Sequence, residues 1–218
     1  MKIPGIAFER DDTSRETQAL ALFCNQHRIP RRFFVSAHEV PHGWIASGSV
    51  TWSTAVLGRS VEPNYYPTFA SHLLHRRVWR QPDWPTEPGI FVKPADVHKR
   101  FNGRLTAVND AKREAGPLWC SEAITFLNEW RYYIGGGRLL AAYWYTGDED
   151  LEPGPPELPK IDFPKGWCGT VDLGVTDRGQ LALVECHPPI AVGWYGGYRD
   201  AALYAEWLSL GWEWLRSN

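Results

Sequence analysis

The sequence has 218 residues, 44% of them hydrophobic and 22% charged, with a formal net charge of −2. That length suits one domain or two small lobes with a proper core, and the near-neutral balance excludes a polyanion-binding surface or electrostatic attachment to a membrane. MKIPGIAFERDD carries no signal-peptide run, no stretch could span a bilayer, and Cys24, Cys120, Cys168 and Cys186 lack zinc or CxxC spacing, so the expectation is a cytoplasmic protein with reduced thiols.

Taken in order, Ile3 to Phe8 reads as a strand. Thr13 with Glu16 forms a capping-box pattern, Leu20, Phe23, Cys24 and His27 recur at helical spacing, and Arg31 to Val35 resumes a strand; this β-α-β opening predicts a small α/β lobe. His38 and His42 are four apart, but Pro41 between them argues against a helical metal pair. Trp52, Ala55 and Leu57 fit either a buried strand or a short helix. From Thr68 to Trp79 the spacing predicts a helix with Phe69, Leu73 and Leu74 inward and Arg76, Arg77 and Arg80 at its basic end, where the helix dipole favours cations. Pro82, Pro85 and Pro88 place a lobe boundary near residues 81–88, giving lobes of 1–85 and 86–218.

Gly89 to Lys93 reads as a strand ending in lysine, and Phe101 to Val108 as its return. Between them stand Lys99 and, early in the return, Gly103. Cationic heads and nearby backbone amides can share a phosphate's charge, although lysines at strand ends are usually just solvated. PLWCSEAITF is an apolar strand carrying Glu122 near its centre. Asn128 to Ile134 and Arg138 to Tyr145 flank three glycines and form a hairpin with Glu129 and Arg131 on one face. These two either pair with each other, or leave Arg131 free to stabilise a transferring phosphoryl group. Residues 147–166 are acidic at first, then proline-rich, and predict a loop.

Val171 to His187, VDLGVTDRGQLALVECH, is the stretch around which the chain is organised. Val171, Leu173 and Val175 alternate, residues 176–179 carry turn chemistry, and Leu181, Leu183 and Val184 restore the apolar run, so a hairpin is expected. Glu185 and His187 share a strand face, and Asp172 faces them across the ladder. Two carboxylates held close in a partly dry site repel unless a cation lies between them, and oxygen ligands suit Mg²⁺ shared with substrate phosphates. A metal site holding a nucleotide follows; a surface hairpin with a polar wet face is the plain alternative. HPPIAVGWYGGY predicts a tight loop near a ligand or partner. Asp200 is placed to cap a last helix bearing Leu203, Trp207, Leu210 and Trp214 on one face.

The order of strand lysine, glycine-bearing loop, Glu122, Glu129-x-Arg131, Asp172 and Glu185-x-His187 resembles the ATP-grasp superfamily, above all its short bacterial and phage members. The likeness is good from about Gly89 to Tyr198, and the thirteen residues between Asp172 and Glu185 match the spacing of the family's Asp…Glu-x-Asn pattern. The resemblance implies an α+β ATP-grasp fold, a small N-terminal α/β lobe followed by antiparallel-sheet lobes clasping a nucleotide. It implies that Lys93 contacts the α and β phosphates, that Lys99 and Gly103 lie in a covering loop, and that Glu122, Ala123 and Ile124 line the adenine. Glu129 falls on the nucleotide side, Arg131 meets the phosphates or an acyl phosphate, and Asp172, Glu185 and His187 hold one or two Mg²⁺. His187 stands where the family usually has Asn; imidazole suits softer metals, so this position tolerates Mn²⁺, binds through water, or does not ligate.

The function implied is an ATP-dependent carboxylate-amine ligase, with ATP and Mg²⁺ as cofactors and an amino acid, peptide or protein terminus as substrate. Two rivals stand beside it. Twelve tryptophans also fit a non-enzymatic module that stacks on peptide, glycan or single-stranded nucleic acid, although nucleic acid normally also needs a basic groove. The His187 departure leaves room for an ATP-grasp protein that transfers phosphoryl to another acceptor.

Overall fold

The computed structural model describes residues 3–147 and 153–218. Its first unit is a parallel sheet of β1 (Ile6–Glu9), β2 (Arg31–Phe34) and β3 (Ile45–Ser47), with β1 in the centre. Helix α1 (Arg15–His27) begins one residue later than the capping-box pattern predicts. The Asp12 carboxylate accepts from the Ser14 amide at 2.9 Å and the Thr17 hydroxyl at 2.7 Å, so Ser14 becomes the cap and accepts from the Thr17 amide at 3.2 Å. Glu16 is thereby released from the cap and accepts instead from the Trp194 amide at 2.7 Å. The undecided segment around Trp52 is helical, α2 (Val50–Leu57), because Ser49 caps it and Gly58 closes it in a left-handed conformation.

The middle sheet is antiparallel, with β4 (Val78–Gln81), β5 (Ile90–Pro94), β6 (Arg104–Leu105) and β7 (Leu118–Glu122) in the order β4-β7-β5-β6. Here the expected helix to Trp79 fails. Only a short 3-10 helix forms at Thr68–Leu73, His75 turns the chain with φ 48°, and β7 supplies backbone partners that draw Val78–Gln81 into the sheet. Arg76, Arg77 and Arg80 therefore lie beyond the short helix and not in a basic last turn; Arg80, for one, donates to the Ala95 carbonyl at 3.0 Å. The middle sheet thus starts before the proline stretch, and the expected return over 101–108 shrinks to the two residues of β6.

The third sheet joins β8 (Phe126–Gly135), β9 (Arg138–Thr146), β10 (Gly169–Thr176) and β11 (Leu181–His187) in the order β11-β10-β8-β9, all antiparallel. The β8-β9 turn uses Gly136 and Gly137 with φ 63° and 78°, the left-handed pair that a tight hairpin demands. Of the acidic, proline-rich loop, residues 148–152 lie outside the described residues. The rest has no regular structure and is tethered: the Trp130 indole donates to the Pro153 carbonyl at 2.7 Å, and the Tyr132 hydroxyl to that of Pro156 at 2.8 Å.

Helix α3 (Ala201–Ser217) returns to the first unit. Its Trp207 donates to the Gly169 carbonyl at 3.0 Å and its Trp212 to that of Ala46 at 3.1 Å, so one helix ties the third sheet to the first. Asp200 precedes it, but its carboxylate accepts from the Tyr143 hydroxyl at 2.8 Å and makes no cap bond. The buried face is turned from the expected stripe: of Leu203, Trp207, Leu210 and Trp214 only Trp207 is buried, and Tyr204, Leu208, Trp212 and Leu215 form the face instead. Most tryptophans thus serve the core and the contacts between sheets. Among the described residues no helix is long and apolar enough to cross a membrane.

Candidate functional site

The β10-β11 ribbon carries a bulge that decides which side chains face the cleft. Asp172 pairs with Glu185 and Thr170 with His187, but Leu173 pairs with Leu183, which leaves Val184 as the extra residue. Val171, Leu173, Leu183 and Cys186 consequently share one apolar core. Asp172, Glu185 and His187 emerge together on the other face. Without the inserted residue, Asp172 would oppose Val184 and Glu185 would turn into the core. β11 lies at the sheet edge, and its carbonyls are covered by Arg76. The guanidinium donates to Leu183 at 2.6 Å, to Val184 at 3.1 Å and to Leu74 at 3.2 Å, while resting over the Tyr66 and Phe126 rings at 5.5 and 5.7 Å.

Two ion pairs hold the carboxylates on this face. Arg131 lies beside Asp172 on neighbouring strands and donates to both carboxylate oxygens, at 2.8 and 2.6 Å. Asp172 is wholly buried and Arg131 only 8% exposed, so the bidentate geometry must offset a large desolvation cost. Burial works against the guanidinium's charge, and Asp172 overrides it, holding the pKa well above the ordinary arginine value. Tyr145 and Tyr195 stack on each other at 5.2 Å, and their rings lie 5.2 and 5.4 Å from that guanidinium. Glu129 does not pair with Arg131. Its carboxylate accepts from the Tyr145 hydroxyl, and burial raises its pKa.

Lys93 donates to Glu185, and His187 Nε2 lies 3.2 Å from the other oxygen of the same carboxylate. Burial opposes ionisation of Glu185, but His187 and the Lys93 ammonium together hold its carboxyl well below the usual range. Tyr65 packs edge-on against His187 at 5.6 Å and lies 4.8 Å from the Lys93 ammonium. Tyr65 also meets His98 edge-on at 5.8 Å; the buried His98 Nε2 has no hydrogen-bond partner.

Beside these pairs opens a cleft of about 650 Å³ between the middle and third sheets, which Lys93 and Glu129 reach and Arg131, Asp172, Glu185 and His187 do not line. Lys93, Glu122, Ala123, Ile124 and Glu129 line it, as do Arg76, Phe91, Thr176 to Arg178 and Val184. Glu122 sits at the end of β7, not at its centre, and accepts from the Arg77 amide at 2.9 Å. Gly103 lies against Lys93: a Cβ there would come within 2.8 Å of the Lys93 Cε, so only glycine lets the lysine stem lie flat. Lys99 is not part of this cleft. It has φ 58°, points toward the Ala191 carbonyl at 3.5 Å and lines a second cavity against the first sheet.

Ligand atoms of Asp172, Glu185 and His187 lie within 4.8 Å of one another. Each carboxylate oxygen bonded to Arg131 or Lys93 keeps a further lone pair, so the donor set fits a divalent cation. The sequence reading missed Tyr145, Tyr195 and Tyr65, and took Arg76 for a helix end. Tyr145 is the extra residue of a β8-β9 irregularity between Glu129 and Trp130, and Tyr195 arrives from the glycine-rich loop flagged as ligand-adjacent. No local spacing signals either partnership.

A model of the ATP-grasp domain, R2K clade family 2, matches residues 73–205. No curated protein matches the sequence. Among solved structures, D-cycloserine synthetase aligns at 13% identity and TM-score 0.54, covering 93% of this chain and 99% of that one. N5-carboxyaminoimidazole synthetase from Staphylococcus aureus aligns at 8% identity and TM-score 0.54, covering 97% and 78%. At such identities the structures speak for the fold alone, a parallel α/β unit followed by two antiparallel sheets; the family match extends over more than half the chain and includes both ion pairs beside the cleft. This chain belongs to the ATP-grasp superfamily, R2K clade family 2.

Proposed function

We propose that the protein is an ATP-dependent carboxylate-amine ligase that works through an acyl phosphate. ATP-grasp enzymes are generally ligases of this kind. The observation that carries the reading is the paired set Arg131–Asp172 and Lys93–Glu185 beside a cleft that Lys93 itself lines and the β7-β8 linker walls. In this reading the adenine lies against Ala123 and Ile124, and the phosphates draw Lys93 from Glu185. Asp172, Glu185 and His187 would hold Mg²⁺ or Mn²⁺, which when bound would supply positive charge to the transferring phosphoryl group. A substrate carboxylate oxygen attacks the γ-phosphorus and ADP leaves with the bridging oxygen. The amine then attacks the acyl carbon, the C–O bond to phosphate breaks, and phosphate departs with that electron pair while the surplus ammonium proton passes to solvent.

Arg131, fixed in plane by Asp172 and by the two tyrosine rings, is placed to steady the phosphate of the intermediate. Glu129, whose pKa is raised by burial, holds the Tyr145 side of that clamp. The test is ADP release with Mg–ATP and pooled carboxylates and amines, beside thermal shift with Mg–ADP. Asp172→Asn and Glu185→Gln are expected to lower ADP release about a hundredfold or more. ADP release unchanged in both variants, or a wild-type protein that Mg–ADP does not stabilise, would overturn the reading.

A further inference from the structure

Tyr65 lies on the link between the first unit and the middle sheet, in a stretch, residues 58–67, with no helix or strand of its own. It is nevertheless only 4% exposed and joins the apolar core of Val171, Leu173 and Leu183. The Trp119 indole donates to the Pro63 carbonyl at 3.1 Å, and the Tyr66 ring packs edge-on against Trp119 at 5.5 Å. The Cys186 amide donates to the Tyr65 carbonyl at 2.8 Å. Cys186 stands between Glu185 and His187 on β11, the edge strand of its sheet. A bond to that amide therefore fixes the backbone from which both side chains spring.

The side chain reaches further than the carbonyl. Lys93 Nζ lies over its ring, 4.8 Å from the centroid, while His187 meets it edge-on at 5.6 Å and His98 at 5.8 Å. Basic side chains from β5, from the β5-β6 loop and from β11 thus converge on one ring. The negative face of the ring attracts the ammonium, and edge-on packing sets the plane of the imidazole, whose Nε2 is left 3.2 Å from Glu185. Burial, then the nearby Glu185 carboxylate, raise the pKa of the phenol. The ring is consequently a neutral surface and not a phenolate counter-ion.

The lysine stem is confined from other sides as well. The Phe91 ring lies 5.7 Å from Nζ, and a Cβ on Gly103 would come within 2.9 Å of Lys93 Cγ. A side chain already held in place loses little conformational freedom when a ligand arrives. In the proposed reaction Lys93 exchanges Glu185 for a phosphate. The ring contact involves neither of those oxygens, so it persists while one counter-ion leaves and the other comes.

We infer that Tyr65 is a positioning residue of the nucleotide site: its ring holds the Lys93 ammonium and the His187 imidazole, and its carbonyl holds β11 between Glu185 and His187. The inference rests on the nucleotide reading and adds to it a residue that no motif in the chain marks. Packing alone would ask only for apolar bulk at this position, which leucine also supplies.

The test compares the parent, Tyr65→Phe and Tyr65→Leu for Mg–ADP affinity by isothermal titration calorimetry. Beside it, the Lys93 ε-methylene signal is followed in a proton–carbon NMR spectrum and identified by its disappearance in Lys93→Arg. Tyr65→Phe keeps the ring and is expected to bind within about twofold of the parent, whereas Tyr65→Leu keeps the carbonyl and the bulk but is expected to bind about tenfold more weakly. The ring current should move the Lys93 signal upfield in the parent and in Tyr65→Phe, and the displacement should vanish in Tyr65→Leu. A parent signal at the ordinary lysine position, Tyr65→Leu binding like the parent, or Tyr65→Phe binding as weakly as Tyr65→Leu would each overturn the assignment. The parent spectrum decides even where Tyr65→Leu does not fold, and it needs no nucleotide. A displaced Lys93 signal in a parent that does not bind Mg–ADP strikes instead at the nucleotide reading and leaves the lysine's place on the ring established.

Discussion

The buried face beside the large cleft and the small cavity beside the first sheet both gather charge, and they handle it in opposite ways. Beside the cleft, Asp172 is wholly buried and Arg131 only 8% exposed, and the buried charges are joined, Arg131 with Asp172 and Lys93 with Glu185, while Asp177 and Arg178 on the cleft's exposed wall join no ion pair among the described residues. In the cavity, Asp11, Arg10 and Lys99 are exposed and unjoined. The physical cause is solvation. A charge taken out of water must bring a counter-ion, whereas a charge at a wet rim can wait for a ligand. A ligand that reached the buried pairs would have to exchange partners with them, whereas one that met the exposed charges would displace only water.

The largest effect expected on the paired side comes from Arg131→Met, which strands the buried Asp172 carboxylate. Urea unfolding should show a loss of about 3–5 kcal/mol. The double variant Arg131→Met with Asp172→Leu should recover much of it, since neither charge then remains buried; equal loss in both proteins would show that packing against Tyr145 and Tyr195, not charge, accounts for the cost. Next comes Arg76→Met, which uncovers the carbonyls of the Val184 bulge. About 2 kcal/mol should be lost, and the Mg–ADP thermal shift should shrink with it because Glu185 and His187 owe their direction to that bulge. A full Mg–ADP shift in this variant would mean that the bulge holds itself.

The smallest effect separates the two regions by pH. Burial first, then the nearby His187, lower the pKa of His98 from 6.5 to about 4. The unfolded chain takes up this proton at higher pH than the folded one. The contribution is thus complete above about pH 6.5 and is lost as the pH falls toward about 4, with roughly 1–2 kcal/mol gone by pH 5. His98→Phe should flatten that part of the stability profile. Unfolding midpoints measured from pH 7 to 5 check this, and an unchanged slope in the variant would place the sensitivity elsewhere.

Much of the third sheet was legible locally. Alternation in Val171 to Val175, turn residues at 176–179 and the glycines at 135–137 are short-range instructions, and they produced hairpins where expected. So did the facing of Asp172 and Glu185. The segment from Thr68 to Trp79 was misread because its helical spacing lost to backbone partners that β7 brings from far along the chain. Thr13 lost the cap to Ser14 because Asp12 tightened the turn, a choice made among three neighbouring acceptors.

By itself the sequence determined the hairpins of the third sheet, among them the one that presents two acids and a histidine, and the superfamily likeness, because turn chemistry and motif order are carried by neighbours in the chain. Only the tertiary structure decided that Arg131 joins Asp172 and not Glu129, that Arg76 holds a bulge, and that Lys99 turns toward the second cavity. Those outcomes depend on which distant charge or carbonyl is nearest once water is removed, and the distance between them is set by sheet packing, not by spacing along the chain.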